Sequence, residues 1–160
     1  MQTYTYSLFA DYFQFYLQDE AMEGDLSNAW TEQAVADLLA LAPGTIGIGT
    51  IRNTDVPVTV QVAAAEPPLE LEGWDHVVEC DLDVPSGRIV VAGCTDYFPT
   101  AARIHVEPGH YRARINYGGF DTLSEDGLNG DDRYRVIVWS APAGGARVVK
   151  RHAPFEKRAV

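Results

Sequence analysis

The sequence predicts a mainly β protein, an antiparallel β-sandwich of about nine strands with one short α-helix at about residues 31–42. Three observations point there. Short runs alternate apolar with polar side chains, clearest from Val56 to Val62 and from Tyr134 to Trp139. Turn formers separate the runs: Pro43-Gly44, Pro85-Ser86-Gly87, Pro108-Gly109 and Gly118-Gly119. A single stretch, Thr31 to Ala42, carries apolar residues at helical spacing. A barrel is the alternative way to close so many strands.

Tyr4, Tyr6, Phe9, Tyr12, Phe13, Phe15 and Tyr16 give the first part of the chain a strand-favouring composition. They predict two strands with a bend at Ser7 to Asp11, and an aromatic wall for the core. Asp19 to Asn28 is an acidic loop. Thr31 is the expected N-cap, with Glu32 and Gln33 in the first turn, where an acid favours the positive helix end. Ala34, Leu38 and Leu41 share one stripe, and Pro43-Gly44 is expected to stop the helix. Thr45 to Ile51 and Val56 to Val62 follow as strands, and Pro67-Pro68 opens a loop.

Trp74 to Leu82 and Arg88 to Cys94 then predict a hairpin around Pro85-Ser86-Gly87. A three-residue loop would set Cys80 opposite Cys94, within disulfide reach, and a two-residue loop shifts that by one. A reducing compartment favours two buried free thiols instead. Ala101 to Val106, Tyr111 to Tyr117, Arg133 to Ser140 and an edge strand at Ala146 to Arg151 complete the set. Residues 1–150 read as a single domain and 151–160 as a basic C-terminal tail.

The net charge of −11 is unevenly spread. Arg147, Lys150, Arg151, Lys157 and Arg158 sit against one acid, Glu156, while the rest of the chain holds seven arginines against 22 acids. Such a body repels nucleic acid and attracts cationic partners. Direct nucleic-acid binding is not expected. The first twenty residues lack a Lys or Arg, and no apolar run is long enough to span a membrane, so the cytoplasm is the expected compartment.

The order Trp30-Thr31, a short helix, a Gly stop, Thr45-Ile46-Gly47-Ile48-Gly49-Thr50-Ile51, then Arg52-Asn53-Thr54 and a valine strand resembles the competence protein J family. Members of that family are small bacterial proteins that inhibit a partner DNA-entry nuclease. The likeness runs from about Trp30 to Val62 and is vaguer beyond. It implies a non-enzymatic protein whose partner is a nuclease.

The residues themselves carry no phosphate loop, serine elbow, HExxH or paired-cysteine pattern, and His76, His105, His110 and His152 lack ligand spacing. No catalytic residue, metal or cofactor is assigned. Two acidic clusters are partner-binding candidates. Glu79, Asp81 and Asp83 would lie about 6.7 Å apart on one strand face, imitating a line of phosphates. Their bland alternative is a solvated face paired with Arg88, Arg112 or Arg114. Glu125, Asp126, Asp131 and Asp132, with Asp121, fall in a Gly-bearing loop whose spacing departs from the EF-hand pattern. Arg112, Arg114 and Arg135, with Arg133, are anion-binding candidates, ion pairing to local acids being their other use.

Two functions follow. The first is an acidic inhibitor that blocks a basic, metal-dependent nuclease by electrostatic complementarity. The alternative is a β-sandwich that binds a small ligand or carbohydrate through Trp74, Tyr97 and Phe98. A hydrolase assembled only in space is a distant third. The oligomeric state is not legible.

Overall fold

The computed structural model describes residues 1–153. Among these residues eleven strands, more than the nine or so expected, build two packed sheets in the expected sandwich. Strand β1 (Gln2–Phe9) leads through a tight bend at Ala10 to Phe13 into β2 (Gln14–Asp19). Helix α1 (Glu32–Asp37) is followed by β3 (Leu39–Ala42), β4 (Thr45–Gly49) and β5 (Asp55–Ala63). Then come β6 (His76–Val84), β7 (Arg88–Gly93), β8 (Ala102–His105) and β9 (Gly109–Gly118). The last two are β10 (Arg133–Ser140) and β11 (Arg147–Lys150).

One sheet runs β1-β5-β10-β9-β6-β11, and the other runs β3-β4-β2-β7-β8. Their inner faces supply the core: Val56, Val58 and Val60 from β5, Val136 and Val138 from β10, and Phe15, Leu17, Ile46, Ile48 and Ile89 opposite. Each such side chain contributes roughly 1.5–3 kcal/mol by leaving water. The sheets are not wholly antiparallel, because β5 and β10 run side by side in the same direction.

The helix is half the expected length. Thr31 caps it as predicted, its Oγ1 accepting the Ala34 N–H at 3.2 Å. Leu38 ends it in a left-handed conformation at φ 56°. Leu39-Ala40-Leu41-Ala42 fits a period of two as well as a helical stripe, and pairing with β4, Leu39 against Ile48, decides for the strand. Pro43-Gly44 therefore makes a hairpin turn between β3 and β4, with Gly44 at φ 63°.

The Trp74–Cys94 hairpin does not form. Strands β6 and β7 lie in opposite sheets, so the turn between them is an arch. The buried carboxylate of Asp19 holds it, accepting from Ser86 N–H at 3.0 Å and Ser86 hydroxyl at 2.6 Å. Cys80 and Cys94 are both free thiols; Cys80 is buried as expected, but Cys94 is exposed. The bend in the first aromatic run falls at Ala10–Phe13, later than expected. Of the predicted tail, Lys157 and Arg158 lie outside the described residues. Arg151 is part of the packed body, donating to Asp37 at 2.6 Å. No helix among the described residues is long and apolar enough to cross a membrane.

Candidate functional site

The alternating glycines of Thr45-Ile46-Gly47-Ile48-Gly49 shape one end of the molecule. Ile46 and Ile48 point into the core, which leaves the glycines on the outer face of the sheet. A Cβ at Gly47 would come within 2.9 Å of Leu26 Cδ1 and 3.0 Å of Trp30 Cζ2. One at Gly49 would meet Leu38 Cδ2 at 2.9 Å. The bare backbone thus lets the Trp30 loop and α1 lie flat on the sheet. Trp30 is fixed there by its indole N–H, which donates to Gln14 Oε1 at 2.8 Å.

Beside this contact the bend at Ala10–Phe13 stands out from the surface. Tyr12 and Phe13 have φ of 59° and 58°, a left-handed conformation that is an outlier for aromatic residues. The turn at Arg52-Asn53-Thr54 holds it. Ala10 N–H donates to Thr54 O at 2.9 Å, Phe13 N–H reaches Asn53 Oδ1 at 3.3 Å, and Thr50 N–H donates to Phe13 O at 2.9 Å. Yet Tyr12 is 74% and Phe13 44% exposed, so core burial does not account for the strain.

Between this bend, Trp30, α1 and Gly49–Ile51 lies an apolar groove of about 540 Å³. Val35, 58% exposed, and Leu38 line its helical wall, and His152 stands at its rim. The acidic loop closes the same end of the sandwich. Phe120, at its start, packs edge-to-face on His152 with centroids 5.6 Å apart. Asp132, at its end, is fully buried, taking Arg52 Nε–H at 2.5 Å on one oxygen and the Tyr134 hydroxyl at 2.6 Å on the other. The Tyr134 hydroxyl in turn accepts Ile51 N–H at 2.9 Å. Burial, followed by the neighbouring Asp132 charge, pushes the Tyr134 phenol far above its ordinary range.

The predicted site residues divide. Asp121, Glu125, Asp126 and Asp131 are exposed on the loop, Asp121 and Asp131 lining a second, open cleft with Trp74, Arg133 and Lys150, whereas Asp132 is the loop's internal anchor. Asp126 is held below the usual carboxylate range by hydrogen bonds from the Ser124 side chain and Leu128 N–H. The Glu79, Asp81, Asp83 row does share one face of β6, but the protein's own cations cover it. Glu79 is only 2% exposed and accepts from Arg114 at 2.8 Å and Arg147 at 2.9 Å. Burial works to raise its pKa, and those two guanidinium groups more than offset this and lower it. Asp81 takes Arg112 at 2.9 Å and the backbone N–H groups of Gly144 and Gly145. Only Asp83 of that row is open, with a side chain 63% exposed.

The anion-binding candidates are engaged in the same lattice. Arg114 also donates to Pro67 O at 2.9 Å, which straps the Pro-rich loop across the sheet. Arg135 stacks on Trp74 at 4.6 Å and faces Glu70 at 3.7 Å. Arg133 covers the Trp74 ring at 4.5 Å, so Trp74 is not the open aromatic platform that a carbohydrate site needs. Tyr97 remains 71% exposed, away from the groove lining. Among the described residues no cluster of three His, Cys, Asp or Glu side chains is placed to hold a metal ion.

Sequence reasoning missed Tyr12, Phe13 and Val35. Their signal was a break in alternation: Ala10-Asp11-Tyr12-Phe13 interrupts two strands without a Gly or Pro, so non-glycine residues must make the turn.

No protein-family model matches this chain, and no curated protein matches it in sequence. Two solved structures do match in fold. One is ComJ from Bacillus subtilis, an inhibitor of the DNA-degrading activity of NucA, with 17% identity and a TM-score of 0.63 over 88% of this chain and 96% of that one. The other is described as crocagin biosynthetic gene J, with 18% identity and a TM-score of 0.56 over 86% and 96% of the two chains. The chain therefore has the fold of ComJ across nearly its whole described length.

Proposed function

We propose that this protein is a non-enzymatic inhibitor that binds a nuclease through the aromatic-lipped groove, with the acidic loop steering the encounter. The observation that carries the reading is the exposed, strained Tyr12-Phe13 pair over an apolar groove, on the fold that ComJ also has. Backbone strain kept at an exposed aromatic bend fits a surface preorganised for a partner. Tyr and other aromatic anchors flanking an apolar pocket are the residue types that dominate binding energy at interfaces.

Asp121, Glu125, Asp126 and Asp131 add exposed negative charge on the loop whose ends Phe120, against His152, and Asp132, against Arg52, tie to the groove's end of the sandwich. Such charges raise association rates with a basic nuclease cleft, and at about 0.1 M salt the attraction is largely screened beyond about 10 Å. Seating the groove on the nuclease would exclude DNA by occupancy, so the inhibitor needs no chemistry of its own.

The test is titration of the purified chain into a DNA-degradation assay with NucA and with a DNA-degrading nuclease purified from its source cells. Stoichiometric inhibition that weakens as salt rises supports the reading. Undiminished degradation by both nucleases at low salt and excess protein overturns it.

The groove volume also falls within the range of small-molecule sites, which favours an apolar ligand as a second reading. Thermal stabilisation by small apolar compounds that Val35→Asp abolishes, with no nuclease inhibition, would select that reading.

A further inference from the structure

Each sheet of the sandwich has two edges, and three of the four edge strands are short. β3 and β8 have four residues each, and β11 has four with Arg147 and Lys150 at its ends and a register break between Val148 and Lys150. Short length, cationic side chains and bulges are the features that keep edges from pairing with other chains. β1 has none of them. It is eight residues long, Gln-Thr-Tyr-Thr-Tyr-Ser-Leu-Phe, without a charge, Pro or Gly. Its register on β5 is unbroken from Gln2 opposite Val62 to Phe9 opposite Asp55. Among the described residues no strand pairs with its other side.

The sequence of β1 is nearly symmetric about Thr5. We infer that β1 pairs antiparallel with β1 of a second copy of this chain, on a two-fold axis through Thr5. That register sets Thr5 against Thr5, Tyr4 against Tyr6, and Thr3 against Ser7 of the other copy. Aromatic pairs and Thr–Thr or Thr–Ser pairs are favourable cross-strand combinations; the axis presents Tyr4–Tyr6 and Thr3–Ser7 twice and Thr5–Thr5 once. Thr3, Thr5 and Ser7 are exposed, while Tyr4 and Tyr6 are half-buried and already pack against the core. The pairing extends that core across the axis and joins two six-stranded sheets into one.

An uncharged strip is the right place for such a contact in a chain of net charge −11. Two copies repel through the rest of their surfaces, so salt strengthens this association, opposite to its effect on an acidic inhibitor meeting a basic nuclease.

The experiment is sedimentation equilibrium of the full chain, carrying C94S to remove the exposed native thiol, at about 50 mM and about 0.5 M NaCl. A particle of twice 17.6 kDa whose dissociation constant falls with salt is expected. T5K places two like charges face to face on the axis and should raise that constant at least about tenfold. T5C should cross-link into a disulfide dimer under mild oxidation, because directly opposed Cα atoms lie about 4.5–5.5 Å apart. S7C, about 13 Å from its own copy in this register, should not. A monomer in both salts overturns the inference. So does a dimer that T5K leaves unchanged, or one that S7C cross-links as readily as T5C. Binding of an extended foreign peptide along β1 by a monomeric chain also overturns it.

Discussion

Replacing Tyr12 with glycine separates fold from function at the bend. The left-handed conformation costs a non-glycine residue roughly 1–2 kcal/mol, and glycine removes that cost. Glycine's looser unfolded chain takes back roughly 0.5–1 kcal/mol. Tyr12 is 74% exposed, so losing its ring forfeits little burial. The net effect is a fold unchanged or stabilised by up to about 1.5 kcal/mol, which for 160 residues is a rise of up to about 3–6 °C in Tm. Tyr12→Asn, also tolerant of this conformation, should behave alike. Inhibition of the nuclease should weaken by about 30-fold or more, the loss of a 2 kcal/mol anchor. Urea unfolding and an inhibition titration on one preparation provide both readings. A variant destabilised by more than about 1 kcal/mol would show that the bend serves packing. Full inhibition by a stable variant would show that Tyr12 is not part of the contact.

Other perturbations have equally definite outcomes. Asp132→Ala leaves Arg52 and the Tyr134 hydroxyl without their buried acceptor, and urea unfolding should show a loss of about 3–5 kcal/mol. His76 is buried, with Nδ1 accepting the His152 N–H and Nε2 against Asp37 O, and Asp37, Arg151 and His152 face it. Desolvation lowers its pKa from 6.5 to about 4. The unfolded chain therefore binds this proton more readily, and stability falls as pH drops from about 6.5 to about 4, by on the order of 3 kcal/mol. His76→Gln should flatten that part of a pH series of urea melts. With a thiol reagent, Cys94 should react in the folded protein, slowed because partial burial and the Asp11 charge push its thiol up, whereas Cys80, pushed up to about 12 by burial, should react only on unfolding. Gly47→Val drives a side chain into Leu26 and Trp30 and should cost about 1–3 kcal/mol, with a red shift in tryptophan emission.

Strands with a strict period of two were legible because burial on one face is a local pattern. Arg133–Ser140 has its predicted ends, and Val56 to Val62 lies within its strand. Leu39–Ala42 was not, since alternating Leu and Ala fit helix and strand alike and only the partner strand decides. The β6–β7 turn reads locally as a hairpin, and the carboxylate that makes it an arch sits at Asp19, 67 residues away from Ser86. The same distance effect hid the site. The acidic row and its alternative partners Arg112 and Arg114 on β9 were visible, but Arg147 on β11 read only as part of the basic end, and the left-handed bend at Tyr12 leaves no compositional mark.

Hydrogen exchange on the complex with the nuclease tests the central claim most directly. Slowed exchange at residues 10–13, 32–38 and 49–51, with weaker protection over 121–131, is the footprint predicted for the groove and its acidic flank. Protection confined to the Glu79-Asp81 face, with the groove exchanging as in the free protein, would contradict it.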